Sequence, residues 1–394
     1  MKNIIKYLKQ GGLLFILLCI ALALNNRFGY ITLIGIFSIV TFWSVTIRHK
    51  MGNGDFVVLC YLICYILISF INGISYPLSS LVLYGIAPLF FYQYGKHITR
   101  SYKGENELIT AWLIIIFCYC IDIFVIRISN IIEAGSLLSG SRDFYFTDNE
   151  TSAKSATLIG LPMGIGMIGL PMFFIVKKMG LKISFLSLFI LSIVTTFSLL
   201  NRTGIIVAGL CFLAVIGYKY RKNGKLLFLS FLSVFSIVFI LIYTGVISSD
   251  LLSAYDERNV DLATAGNRTT RWSDAFINLF THPFGWTDGT TYFVHNMWLD
   301  VARISGTIPF ILLVYMTYDC FLKAFKLIKR YNNSLSYMML GLNVCFFATC
   351  FVEPITGSTH FMLYCMLWGT ESALLKNEHN YIMSNRLKTK RFNW

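Results

Sequence analysis

Leu226-Leu-Phe-Leu-Ser-Phe-Leu-Ser-Val-Phe-Ser-Ile-Val-Phe-Ile-Leu-Ile-Tyr-Thr-Gly-Val246 carries no charged side chain over 21 residues. Wound as a helix at about 1.5 Å per residue, it reaches about 30 Å, the thickness of a bilayer's hydrocarbon core. In lipid every backbone N–H and C=O must be satisfied internally, so only helices and closed barrels span. A barrel needs short strands of alternating apolar and polar residues, and this run has none. It therefore predicts a membrane-spanning helix over 225–247. Working outward, the same reading finds further spans at 11–24, 28–47, 56–71, 74–94, 108–127, 156–176, 181–200, 203–219, 298–321, 335–353 and 355–375. The composition agrees: of 394 residues 56% are hydrophobic and 13% charged, with mean hydropathy +0.66, against about 25% charged in soluble domains. Too little polar surface remains to coat a water-soluble globule. The chain is expected to be a single all-α polytopic integral membrane domain, residues 1–394, with about 12 transmembrane helices.

Charge sets the expected orientation, because Lys and Arg beside short loops stay on the cytoplasmic side. Of 33 basic residues, 24 fall at every second connection. The clusters are Lys2, Lys6 and Lys9; Arg48 and Lys50; Lys96, Arg100 and Lys103; Lys177, Lys178 and Lys182; Lys219, Arg221, Lys222 and Lys225; Lys323, Lys326, Lys329 and Arg330; and Lys376, Arg386, Lys388, Lys390 and Arg391. This alternation predicts both termini in the cytoplasm and a large outer loop between helices 9 and 10. The net charge of +14 is then a topology signal and a contact with anionic headgroups, not a nucleic-acid footprint. The first segment has a basic start, a short apolar core and Ala21-Leu22-Ala23, the parts of a signal peptide, and reads as an uncleaved anchor. All ten cysteines lie within apolar spans, so no disulfide framework is expected, and Cys60 and Cys64 share a helix face as packing residues.

Polar residues able to do chemistry concentrate in two outer segments, 128–155 and 248–297. In the second, Trp272, Ala275, Phe276 and Leu279 fall at helical spacing, which predicts an amphipathic helix on the outer membrane surface. The basic residues outside the lysine-rich clusters are Arg27, Arg127, Arg142, Lys154, Arg202, Arg258, Arg268, Arg271 and Arg303. All but one are arginine, and topology alone does not select arginine. A guanidinium grips two phosphate oxygens at once, so the bias points to a phosphate or pyrophosphate ligand. Pairing with Asp256, Glu257, Asp261 and Asp274 in the same loop is the competing explanation. Arg268 and Arg271 stand out by clustering. Arg202 lies in a very short connection, Leu200-Asn201-Arg202-Thr203-Gly204, where it either snorkels to headgroups or serves a site inside the bundle.

His295 opens His295-Asn296-Met297-Trp298-Leu299-Asp300, where the long loop re-enters the membrane. An imidazole there can take a proton from a sugar hydroxyl, with Asn296 or Asp300 setting its tautomer; capping the next helix is the plainer role. His282 is the other loop histidine, and His360 lies near the outer end of the last helix. HExxH, CxxC and glycine-rich Walker or Rossmann loops are missing from the sequence, so neither metal nor cofactor is expected. Asp122, Arg127, Asp319, Glu353 and Glu371 lie within spans and are expected to turn inward. Pro162, Pro171, Gly164, Gly166 and Gly169 should loosen the sixth span.

Three stretches resemble the O-antigen polymerase and O-antigen ligase superfamily of polytopic glycan-transferring membrane proteins. They are Asn201-Arg202-Thr203-Gly204, then Arg268 to Trp272 with His282-Pro283-Phe284-Gly285, then His295-Asn296 followed by nine residues and Gly306. The resemblance covers most of the chain; Pro309 and Arg303 depart from the ligase pattern. It implies metal-independent, inverting glycosyl transfer on the periplasmic or extracellular face of the bacterial inner membrane. The donor is a polyprenyl-pyrophosphate-linked oligosaccharide and the product a surface polysaccharide, an O-antigen or capsule. Within that resemblance Arg202, Arg268 and Arg271, with Arg142, hold the pyrophosphate. His295 is the general base, Arg271 acts beside it, and Asn296 and Gly306 give structural support. Trp272, Trp286, Tyr292 and Trp298 offer faces for sugars or anchor the loop at the interface. Membrane lipid, a chain-length regulator and a flippase are the implied partners. A repeat-unit polymerase is expected first and a ligase second. A flippase or transporter, which should show repeated halves and midplane polar sites, is the reading from another class.

Overall fold

The computed structural model describes residues 2–27, 29–47, 51–135, 156–230, 232, 236, 268–286, 294–352 and 358–376, and among them every regular element is helical. The elements are α1 (Lys2–Ala23), α2 (Tyr30–Thr41) with a π turn after it (Phe42–Thr46), α3 (Asn53–Ile71), and α4 (Leu78–Leu81), which runs through a second π turn (Val82–Ile86) into α5 (Ala87–Ser101). Next come α6 (Glu105–Ala134), α7 (Ala156–Gly166), α8 (Gly169–Ile175), α9 (Met179–Ser198) and α10 (Arg202–Tyr220). After a helical stretch at 224–230 follow α11 (Arg268–Thr281), α12 (Met297–Ser305), α13 (Thr307–Tyr331), α14 (Ser334–Val352) and α15 (Thr359–Lys376). Among the described residues, α3, α6, α9, α10, α13 and α14 are long and apolar enough to cross a membrane, and 12–23, 30–46 and 160–175 form shorter apolar helices. Large apolar side chains such as Leu67, Ile71, Ile183, Leu213 and Ile311 are more than half exposed. Such a surface needs lipid as its solvent. The chain is a multi-pass helical membrane protein.

The helices alternate in direction. Lys219 at the end of α10 stands over the Tyr337 ring near the start of α14 (4.6 Å), and the Ser334 N–H donates to Glu105 at the start of α6 (2.8 Å). Tyr331, closing α13, donates to the Leu374 carbonyl at the end of α15 (3.2 Å). Among the described residues, the basic clusters closing α10, α13 and α15 thus gather at one end, called here the lysine end. The loop carrying α11 and α12 lies at the other, the loop end.

Hydrophobic burial gives helices in lipid no reason to associate, so close approach through small residues and buried polar links hold them together. At the centre α14 and α15 are buried along almost their whole length. A Cβ on Gly95 would lie 2.0 Å from the Met366 carbonyl oxygen and one on Gly369 1.9 Å from that of Tyr92, so α5 and α15 pack backbone to backbone. The fully buried Glu371 accepts from Asn343 (2.6 Å) and from the Cys320 thiol (3.1 Å), joining α15 to α14 and α13. His360 lies 3.3 Å from the Tyr119 hydroxyl and 2.7 Å from that of Thr349. Two Arg27 nitrogens, at 2.9 and 2.8 Å, meet one oxygen of Asp122. The expected inward turn of Asp122, Arg127 and Glu371 is therefore found; Asp319 is half-buried, and Glu353 lies outside the described residues. Phe15 and Leu18 of α1 are wholly buried, Phe15 edge-on to Tyr102 at 5.5 Å. All ten cysteines are free.

Several boundaries differ from the expectation. The span predicted at 298–321 is two helices, because Gly306 (φ 79°, ψ −170°) ends α12 and lets α13 start afresh at Thr307. The fourth span is displaced toward the lysine end, ending at Ser101 instead of residue 94. Helix α6 continues to Ala134, into the segment read as outer loop from 128; residues 136–155 lie outside the described ones. The sixth span does break, between Gly166 and Gly169, as its proline and glycine content predicts. Of the run 225–247, only 225–230, 232 and 236 are described.

Candidate functional site

The site is built where the loop re-enters the bundle. The Asn296 side chain accepts from the Leu299 N–H (3.1 Å), capping α12, and donates to the Phe351 carbonyl (3.3 Å), which pins that cap to the end of α14. Asn296, not His295, is the cap. His295, one residue earlier, is half-buried and held at φ 55°, in the left-handed region that few side chains other than Asn, Asp and His adopt. The neighbouring chain is tied by the Val294 N–H to Asp300 (3.3 Å) and the Asp300 N–H to the Asn296 carbonyl (2.8 Å). The same Asp300 oxygen takes Arg303 Nε at 3.0 Å, with Arg303 only 8% exposed. Arg303 therefore pairs with Asp300 within α12.

The two motifs on either side of α12 interlock. The Thr307 N–H donates to the Pro283 carbonyl (2.8 Å), and the Trp286 N–H to that of Arg303 (2.8 Å). Asn72, at the end of α3, donates to the carbonyls of Phe284 (2.5 Å) and Ile304 (3.0 Å) and fastens both strands of chain. A Cβ on Gly306 would sit 2.2 Å from the Pro283 oxygen, and one on Gly285 (φ 100°) 2.7 Å from the Arg303 oxygen. Gly306 also occupies a backbone region that is essentially glycine-only, where strain amounts to about 1–3 kcal/mol. Gly306→Ala should therefore lower the apparent Tm of the detergent-solubilised protein while its helical circular dichroism at low temperature stays unchanged. A wild-type melting curve would show that the His282–Gly285 turn does not rest on this glycine.

Helix α11 lies against this assembly. Thr307 donates to the Leu279 carbonyl (3.0 Å) and Trp272 to that of Val294 (2.9 Å), with the Trp272 ring 5.1 Å from Phe351. Ala275 and Leu279 are buried, whereas Phe276, Ile277 and Phe280 are 57%, 58% and 71% exposed. The helix is amphipathic as expected, but Phe276 belongs to an outward apolar face and not to the packed stripe. Trp298 is buried, donates to Thr317 (3.0 Å) and packs on Phe347 at 5.2 Å. It holds helices together and offers no face to a sugar.

Arg268 opens α11 and Arg271 follows one turn later. Both are half-buried while Thr269, Thr270, Ser273 and Asp274 are exposed, so the two arginines share the protein-facing side. Arg202 likewise opens α10, behind the Asn201 cap on the Gly204 N–H (3.4 Å). A helix N-terminus already carries about half a positive charge, which disfavours a cation there and favours an anion. Two helices that each begin with arginine are electrostatically arranged for an anionic ligand. Both arginine-headed termini lie at the loop end. A Cβ on Gly164 would reach Thr349 (2.5 Å) and Val207 (3.9 Å), so α10 and α14 are level there. Arg202 lies about one and a half turns beyond Val207, and Phe351, which holds Asn296 and Trp272, lies just past Thr349.

Behind Arg202, Arg127 is 1% exposed and directs Nε to the Ser198 hydroxyl and a terminal nitrogen to the Ser198 carbonyl, both at 2.7 Å. It fixes the last turn of α9, from which Asn201 and Arg202 emerge. This role has no local motif; its only sequence signal is an arginine in an apolar run. Arg142, Lys154, Arg258 and Tyr292 lie outside the described residues, as do Asp256, Glu257 and Asp261. Among the described residues no three His, Cys, Asp or Glu side chains come together as metal ligands. The chain matches no protein-family model, and no curated protein matches it in sequence.

Proposed function

We propose that the protein is a repeat-unit polymerase of a surface polysaccharide, transferring glycan from a polyprenyl-pyrophosphate carrier to the next lipid-linked repeat unit. In this reading the bundle has about twelve crossings, lies in the bacterial inner membrane with both termini cytoplasmic, and turns its loop end to the periplasm or exterior. One observation carries the proposal: arginines head both α10 and α11 at the end of the bundle where His295 is held in a strained turn. An acceptor sugar hydroxyl attacks the anomeric carbon from the side opposite the pyrophosphate, and its proton passes to His295. The anomeric carbon–oxygen bond to pyrophosphate breaks, inverting the centre, and the leaving oxygen takes the electron pair. Arg202, Arg268 and Arg271 stabilise that charge, the task a metal ion performs elsewhere.

The test is conversion of purified polyprenyl-pyrophosphate repeat unit by the detergent-solubilised protein with EDTA present. A ladder of lengthening glycan is the expected result. Transfer of the intact unit to added lipid core, without a ladder, would make the enzyme a ligase. The fully buried Glu371 cluster favours the transport reading as the second one; unconsumed labelled substrate crossing a vesicle membrane would replace the enzyme reading with it.

A further inference from the structure

At the lysine end, far along the helices from the proposed site, the start of α3, the end of α5 and the facing sides of α13 and α15 enclose a cavity of about 460 Å³. Among the described residues its charged lining is Lys96, Arg100, Lys323 and Lys376 against Asp55 and Asp319, an excess of two positive charges. Both carboxylates are engaged by the protein itself. Asp55 takes Lys96 Nζ at 2.6 Å and the Gly52 N–H at 2.8 Å. Asp319 takes Lys323 and the Trp368 N–H (2.7 Å), and Lys323 also donates to Ser372 (2.8 Å). These bonds hold the walls in place. Lys376 Nζ stands over Gly52, 3.1 Å from where a Cβ would be, so a larger residue there would displace it.

Three aromatic side chains, Tyr92, Tyr315 and Trp368, also line it. Tyr92 and Trp368 pack at 4.8 Å, with Lys96 and Lys323 over their rings at 5.5 and 4.6 Å, and Tyr315 is half exposed on the outward side of α13. The volume is in the range of pockets that take an organic molecule, about 300–1,000 Å³. We infer that this cavity binds a phosphate group, as a lipid headgroup or as a free phosphate. A phosphate monoester carries about −1.5 to −2 near neutrality, matching the excess charge, and Arg100 supplies the planar fork that suits its oxygens. Basic pockets between membrane helices bind anionic headgroups on the same physical grounds.

Thermal melting of the purified full-length protein tests it, with phosphatidic acid, inorganic phosphate and phosphate-free diacylglycerol as separate additions. Phosphatidic acid should raise the Tm of the wild type, and the Arg100→Gln/Lys376→Gln double variant should need at least about tenfold more for the same rise. The charge-conserving Arg100→Lys/Lys376→Arg protein should keep most of the response, which separates lost binding from a damaged fold. A rise with inorganic phosphate as well assigns the site to the ion; a rise with phosphatidic acid alone assigns it to a headgroup. Equal responses from the wild type and the Gln variant, a response to diacylglycerol matching that to phosphatidic acid, or no response to either phosphate would overturn the inference.

Discussion

Replacing His295 with Asn should abolish glycan elongation, with turnover falling by about 10²–10⁴, the usual contribution of a positioned general base. Asn is a better probe than Ala because the residue sits at φ 55°. Asn tolerates the left-handed region, whereas Ala there adds roughly 1–2 kcal/mol of backbone strain that would disturb the Asn296 cap next to it. His295→Asn therefore removes the proposed base and leaves the turn. The measurement is the rate of ladder formation at saturating lipid-linked repeat unit, with melting of the variant confirming its fold. A variant that elongates within a few-fold of wild type would end the general-base role, and with it the main reason for treating this turn as the reacting centre.

The crossings were legible because apolar run length reports directly on the solvent a helix needs. The spans expected at 181–200, 203–219 and 335–353 coincide closely with α9, α10 and α14. Hydropathy is blind to backbone direction, however, and this is why 298–321 read as one helix. The break is a single glycine whose conformation, not its polarity, separates α12 from α13. The glycines of the sixth span show the other side of the limit. They were legible as helix weakeners, but a Cβ on Gly166 would lie 1.9 Å from Ser192 Oγ and one on Gly169 2.3 Å from the Phe185 oxygen, so they also seat α7 and α8 on α9. That function depends on a partner the local sequence does not name.

The same distinction runs through the site. Asn296, Gly306 and the His282–Gly285 turn were singled out in the sequence; the structure joins the last two through the Pro283 and Arg303 carbonyls and fastens Asn296 to the Phe351 carbonyl. Residue type alone did not reveal which arginines serve the fold. Arg303 is consumed by Asp300 within one helix, and Arg127 by Ser198 across two. Asn72 carried no signal beyond an Asn-Gly pair at a helix end, yet it holds the loop on α3 through two carbonyls.

Arg271 carries the second large prediction. It lies on the protein-facing side of α11, one turn after Arg268, beside the Trp272 that is bonded to the chain just before His295. In the proposed reaction, a pyrophosphate leaving from a sugar near His295 would be stabilised by the guanidinium and by the positive end of the helix together. Arg271→Ala should lower turnover by about 10²–10³, the cost of removing one preorganised donor from developing negative charge. Arg271→Lys should recover only part of that loss, because an ammonium supplies the charge without the fork. If the interaction grows as the bond breaks, the loss falls on kcat, whereas uniform binding of the donor would raise KM and leave kcat unchanged. A KM-only effect would reassign Arg271 to substrate capture, and a wild-type profile in both Arg271→Ala and Arg268→Ala would remove α11 from the site altogether.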